Sequence, residues 1–139
     1  MVPSRVTRRL ARAIASALVL ACTTVVASAC DAVDITAVES DLITATATTE
    51  GGVRLHGLTG RSVHYFVADA EALALIDWVP CLDPASCPAV PPRGTVDVPR
   101  SAIAGDQPGS HTVVVYHWLL VRRGDGIVPD SIRAITVSR

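Results

Sequence analysis

From residue 42 onward, apolar and polar residues alternate with a period of two. Ile43, Ala45 and Ala47 alternate with Thr44, Thr46 and Thr48, and Val53 and Leu55 alternate with Arg54 and His56. Val63, Tyr65 and Val67 share one face, Val96 and Val98 another, and Ile135 and Val137 repeat the arrangement near the end. Alternation of β-branched or aromatic residues with polar ones, broken by glycine-rich turns, predicts half-buried strands. The run 113–121 is different. Val113, Val115, Leu119 and Val121 face one way, while Val114, Tyr116, Trp118 and Leu120 face the other. A strand apolar on both faces belongs in the middle of a sheet. Leu58-Thr59-Gly60-Arg61 predicts a hairpin turn, and Arg123-Gly124-Asp125-Gly126 a second. In the stretch 69–79 the Ala and Leu content suits a helix, with Asp69 and Glu71 in its first turn. Leu73 and Leu75 nevertheless oppose Ile76 and Trp78, and the neighbouring segments all read as strands, so a strand is expected there.

Seven or so short strands without βαβ alternation predict an all-β fold, a small antiparallel two-sheet sandwich over residues 42–139. Its architecture resembles immunoglobulin-like modules. The resemblance ends there, because Cys81 and Cys87 are only six positions apart and the long-range Cys…Trp…Cys spacing of antibody domains is missing.

The first thirty residues carry an address. Arg5, Arg8, Arg9 and Arg12 precede any acidic residue, and fifteen uncharged residues follow from Ala13 to Ala27. As a helix that stretch spans about 22 Å, short of the ~30 Å hydrocarbon core of a bilayer. A positive start, a short apolar core and the small residues Ala27-Ser28-Ala29 predict a secretory signal over 1–29. Val26-Ala27-Ser28-Ala29-Cys30 resembles the lipobox of bacterial lipoproteins, with Ala27 where Leu is commonest. The resemblance implies cleavage before Cys30, a diacylglyceryl group on its thiol, and a tether over 30–41 that holds the domain to a membrane outside the cytoplasm. Ala27-Ser28-Ala29 also suits ordinary signal peptidase, which would release a soluble secreted domain. Leu18-Val19-Leu20-Ala21-Cys22 is a second lipobox-like run with a shorter apolar core before it.

Cysteine arithmetic agrees with the anchor. Cys22 leaves with the signal, Cys30 takes lipid, and Cys81 with Cys87 remain as a pair. Redox motifs use C-x-x-C and zinc needs two more soft ligands, so the C-x5-C pair is expected as a structural disulfide. Six of the nine prolines fall between Pro80 and Pro99 around it. A rigid loop of this kind serves either to cover a sheet edge or as a preorganised binding loop, and Trp78, Pro84 and Pro91 are the candidate binding surface.

Charge narrows the partners. Residues 30–139 carry 8 Arg and no Lys against 13 acids, a net of −5. No basic footprint for nucleic acid exists. The sequence has no G-x-S-x-G, H-E-x-x-H or Gly-rich phosphate loop, so no catalytic residue and no cofactor are assigned. Ser110 beside His111 is adjacency only, since successive strand residues point to opposite faces. Asp77, in an apolar stretch, is read as a buried or edge carboxylate bonded to backbone. His111 and His117 are too far apart along a strand to share an ion. His56 and His64 could face one another across the Thr59-Gly60 turn, which gives an alternative reading as an extracytoplasmic metal-binding protein. Otherwise the histidines are expected to be exposed or at a rim. Arg123-Gly124-Asp125 spells the integrin-recognition tripeptide but reads as turn chemistry. Trp78 and Trp118 are expected in the core. The expected role is a non-catalytic binding or structural module of the cell envelope, with the membrane and a protein or glycan as partners.

Overall fold

The computed structural model describes residues 38–139; the span 1–29 expected as a signal, and Cys30, lie outside the described residues. Among the described residues, eight strands form two antiparallel four-stranded sheets. They are β1 (Val38–Glu39), β2 (Ile43–Ala47), β3 (Val53–Gly57), β4 (Val63–Asp69), β5 (Ala89–Val90), β6 (Thr95–Val98), β7 (Thr112–Arg123) and β8 (Gly126–Ser138). Sheet A has the order β1-β2-β3-β6 and sheet B the order β5-β4-β7-β8. The fold is the small all-β sandwich that the alternating pattern predicts.

The core lies between the sheets and is aliphatic. Ile43, Ala45, Val53, Leu55 and Val98 of sheet A face Val63, Val67, Val113, Val115, Ile135 and Val137 of sheet B, all buried. β-Branched side chains fill this space because they stand stiffly off a pleated surface and interdigitate across it. β7 runs between β4 and β8, as its two apolar faces require.

The register on either side of β7 explains its length. β4 covers it only from Val113 to Trp118, whereas β8 follows it to the Arg123–Gly126 pair. Residues 119–130 therefore continue as a two-stranded ribbon. Between His117 and Leu119 the register slips by one, so Ser131 and Ile132 stand opposite Trp118, and Ser131 takes a φ of 44°. This is a β-bulge. Gly124, with φ at 60°, opens the two-residue turn at the ribbon tip, where a positive φ at the first central position is needed.

Three expectations fail here, each for a physical reason. The stretch 69–79 is not a strand. β4 ends at Asp69, whose carboxylate accepts the Glu71 N–H at 2.9 Å and so turns the chain, and a single 3-10 turn follows at Leu73–Leu75. The Leu58–Arg61 turn does not close a hairpin, because β3 pairs with β2 and β6 while β4 lies in the other sheet. Thr59 instead bonds Arg61 locally and its carbonyl accepts the Arg93 N–H, which folds the crossover between sheets. At the end of the span 30–41, where a tether is expected, the described residues Val38 and Glu39 form β1 against Ala45 and Thr44. Ser40 caps that connection, since its hydroxyl accepts the Leu42 and Ile43 N–H groups. Finally, Trp78 is only half-buried, and Trp118, though buried as expected, lies outside the inter-sheet cluster. They belong to a second cluster on the outer face of sheet B.

Candidate functional site

The outer face of sheet B carries the rings that the inner face lacks. His64 pairs with Trp118 and Phe66 with Tyr116 across β4 and β7, and the even positions of both strands point outward. Above them runs a strap, residues 70–88, that leaves β4 at its end and returns as β5 beside its beginning. Trp78 is the point of attachment. Its ring lies 4.9 Å from Phe66 at 18° and 4.7 Å from Tyr116 at 44°, centroid to centroid, with Trp118 at 6.1 Å. Offset and tilted rings at these separations gain quadrupole attraction beyond the area they bury. His64 and Trp118 lie beneath, almost fully buried, and His64 Nδ1 and Trp118 Nε1 have no protein hydrogen-bond partner.

Two further contacts hold the strap. Ile76 packs on Gly105, where an added Cβ would come within 2.9 Å of Ile76 Cδ1 and 2.6 Å of Ala72 Cβ. Gly105 also has a φ of 68°, so glycine is needed there twice over. At the far end the Cys81–Cys87 disulfide closes a loop with its Cα atoms 5.7 Å apart. Inside that loop Asp83 accepts the Ala85 N–H and the Ser86 hydroxyl, and its carbonyl accepts the Cys87 N–H. The Ser86 hydroxyl and then the Ala85 N–H hold the exposed Asp83 carboxyl below its ordinary range.

The strap thus contains Trp78 and Pro84 of the expected surface but not Pro91. Trp78 is half-buried against rings, and Pro84 is exposed. Pro91 belongs to a separate turn, whose carbonyl accepts the Gly94 N–H and packs under Gly57 of β3. Edge covering is also present. β5 pairs with Val63 and His64, and Ala104 forms a parallel bridge to Ala68, so the edge of β4 is shielded at both ends.

A second polar arrangement has no counterpart in the alternating pattern of the sequence. Asp69, fully buried at the end of β4, meets Arg139, whose side chain is 3% exposed, at 3.2 Å. Arg139 also pairs with Asp106 and donates to the Gly51 carbonyl at 2.9 Å, and Arg100 completes the chain with a 2.7 Å bond to Asp106. Burial alone would push the Asp69 carboxyl up. The adjacent Ser110 hydroxyl, which falls short of full hydrogen-bond geometry, the N–H groups of Glu71 and Gln107, and the Arg139 cation outweigh it and hold the carboxyl low. Arg100 and then Arg139 do the same for Asp106. A carboxylate so enclosed and neutralised is a structural clamp. It joins the strap's start, the 105–107 turn and the β2–β3 turn.

The histidines do not converge. His56 lies exposed on sheet A, bonded to Thr95 at 3.1 Å, while His64 sits on the outer face of sheet B. The crossover that replaces the expected hairpin separates them, which removes the two-imidazole site. Among the described residues, no three His, Cys, Asp or Glu side chains gather where a metal ion could sit. His111 is exposed just before β7. His117 is neither exposed nor at a rim: it is fully buried on the inner face, with Nε2 2.9 Å from Ser40 Oγ and Nδ1 3.2 Å from the Val115 carbonyl. Burial lowers its pKa and that of His64; the Val115 carbonyl opposes the first shift and the Pro88 carbonyl the second. Asp77 is exposed on the strap rather than buried. Arg123-Gly124-Asp125 forms the ribbon tip, with Arg123 3.9 Å from Asp130. A groove of about 640 Å³ beside the β2–β3 turn is open, and the Arg54 and Asp97 that line it neutralise each other through two bonds of 2.7 and 2.9 Å. No family model, curated protein or solved structure matches the chain.

Proposed function

We propose that this is an exported protein held to a membrane by lipid on Cys30, whose β-sandwich serves outside the cytoplasm as a non-catalytic binding or structural module. The observation that carries the reading is the Cys81–Cys87 disulfide, a bond that persists in oxidising compartments. It accords with the leader that ends in Val26-Ala27-Ser28-Ala29-Cys30. Two or three acyl chains on one cysteine exceed the single chain that binds membranes only marginally, so the attachment would be stable. The two enclosed carboxylates are neutralised by arginine, and the strap presents shape and apolar surface rather than a reacting group.

Intact mass spectrometry on the chain from the membranes of its source cells tests this. The expected mass is residues 30–139 plus a diacylglyceryl group, less the two hydrogens of the disulfide. A chain beginning at Cys30 in the soluble fraction, without lipid, would overturn the anchor and leave Cys30 as an odd thiol in search of a partner.

A further inference from the structure

Five large apolar side chains of the described residues are exposed, and three of them, Leu75 at 88%, Val79 at 81% and Leu82 at 45%, fall within eight residues of the strap. Single exposed apolar residues are ordinary; three on one short segment are a concentration. The segment is also held in place. Trp78 is wedged on Phe66 and Tyr116, Ile76 on Gly105, and the disulfide with Pro80, Pro84 and Pro88 restricts the rest. A free loop would fold such side chains inward, whereas this one is cross-linked with them pointing out. Preorganisation of that kind lowers the ordering cost of binding.

Charge selects the partner. Between Arg61 and Arg93 there is no Arg or Lys, and Glu71, Asp77 and Asp83 are all exposed. An anionic bilayer would repel this segment, and so would the same segment of a second copy. The side chains most exposed on the strap are aliphatic and acidic rather than aromatic, which suits an apolar protein surface better than a glycan. We propose that the outer side of the strap, Leu75, Val79 and Leu82 with the carboxylates of Glu71 and Asp77, docks a protein whose surface presents an apolar recess bordered by Arg or Lys. This rests on the reading of the chain as a binding module and names its surface.

The test is photo-crosslinking in the source cells, with a benzophenone amino acid placed in the full chain at Leu75 or Val79 and, as control, at the exposed Glu50 of the β2–β3 turn. Positions 75 and 79 should yield an adduct with one protein that position 50 does not. The crosslinked peptide of that protein should combine apolar residues with Lys or Arg. Glu71→Arg with Asp77→Arg should cut the adduct about tenfold while the purified variant keeps its thermal midpoint. Adducts with lipid alone, with a second copy alone, or with a protein but indifferent to the charge reversal would each overturn the proposal. Lipid-only adducts from a chain that carries its diacylglyceryl group would leave the anchor standing. A protein adduct from an unlipidated chain would sink the anchor and leave the docking surface.

Discussion

On its inner face the β4–β7 pair meets the aliphatic side chains of sheet A, and on its outer face it meets Trp78, delivered by a segment with almost no regular structure. The inner contact is spread over many buried β-branched residues from seven strands. The outer contact is concentrated in one indole, one glycine notch and one disulfide. Distributed packing is fixed by chain topology and tolerates no local opening. A strap attached at a few points can carry exposed apolar side chains that the core cannot. The clamp of Asp69, Arg139 and Asp106 joins the two regions at the end of β4.

The sharpest way to break that comparison is to remove the clamp. Arg139→Met leaves the fully buried Asp69 carboxylate without its cation, and truncation of one partner of a buried pair costs about 3–5 kcal/mol. Urea denaturation should show that loss, and Asp69→Asn added to the variant should restore part of it.

Next in size is the core itself. Leu55→Ala removes a fully buried side chain between the sheets and should cost about 3 kcal/mol in the same measurement, with no local alternative structure. The strap should respond less and differently. Cys81→Ser with Cys87→Ser opens a short loop, for which chain entropy predicts about 2 kcal/mol. Hydrogen exchange should then rise in residues 76–88 while β7 amides stay protected. Uniform exchange across both regions would show that strap and sandwich are one cooperative unit.

The smallest effect is acid sensitivity, and its sign is set by the two buried histidines. Both have folded pKa values below the ordinary 6.5, so below that pH the unfolded chain binds protons that the folded chain refuses. Stability should therefore fall as pH drops from 7 through 6.5 toward 5, and be flat above 7 as far as histidine is concerned. His117→Gln should flatten part of the slope. The depressed carboxyls of Asp69 and Asp106 act in a lower window: their contribution is present above about pH 4 and is lost as pH falls further.

How much of this could be read in advance depended on the range of the interaction. Period-two alternation marked the inward residues of β2, β3, β4 and β8, because burial on one face writes itself into every second position. The two-sided apolar run marked β7 as interior, and the six-residue cysteine spacing marked the staple. The stretch 69–79 misled because its apolar residues serve three different contacts: Ala72 and Ile76 reach Gly105, Trp78 reaches the sheet, and Leu75 reaches solvent. No single periodicity describes such a segment. His117 misled in another way, since an imidazole at an inward position counts as polar in a pattern but is accommodated here by Ser40 and the Val115 carbonyl.

By itself the sequence determined the strand alternation, the all-β sandwich and the local disulfide, since each is governed by burial or by contacts between residues close along the chain. Only the tertiary structure decided which sheet each strand joins, that β3 and β4 part company and so separate His56 from His64, and that Asp69 meets Arg139 across 70 positions. It also decided that the strap lies outside the sandwich with Trp78 turned in and Leu75 and Val79 turned out. Those are choices among long-range pairings, and a local pattern carries no term that distinguishes one distant partner from another.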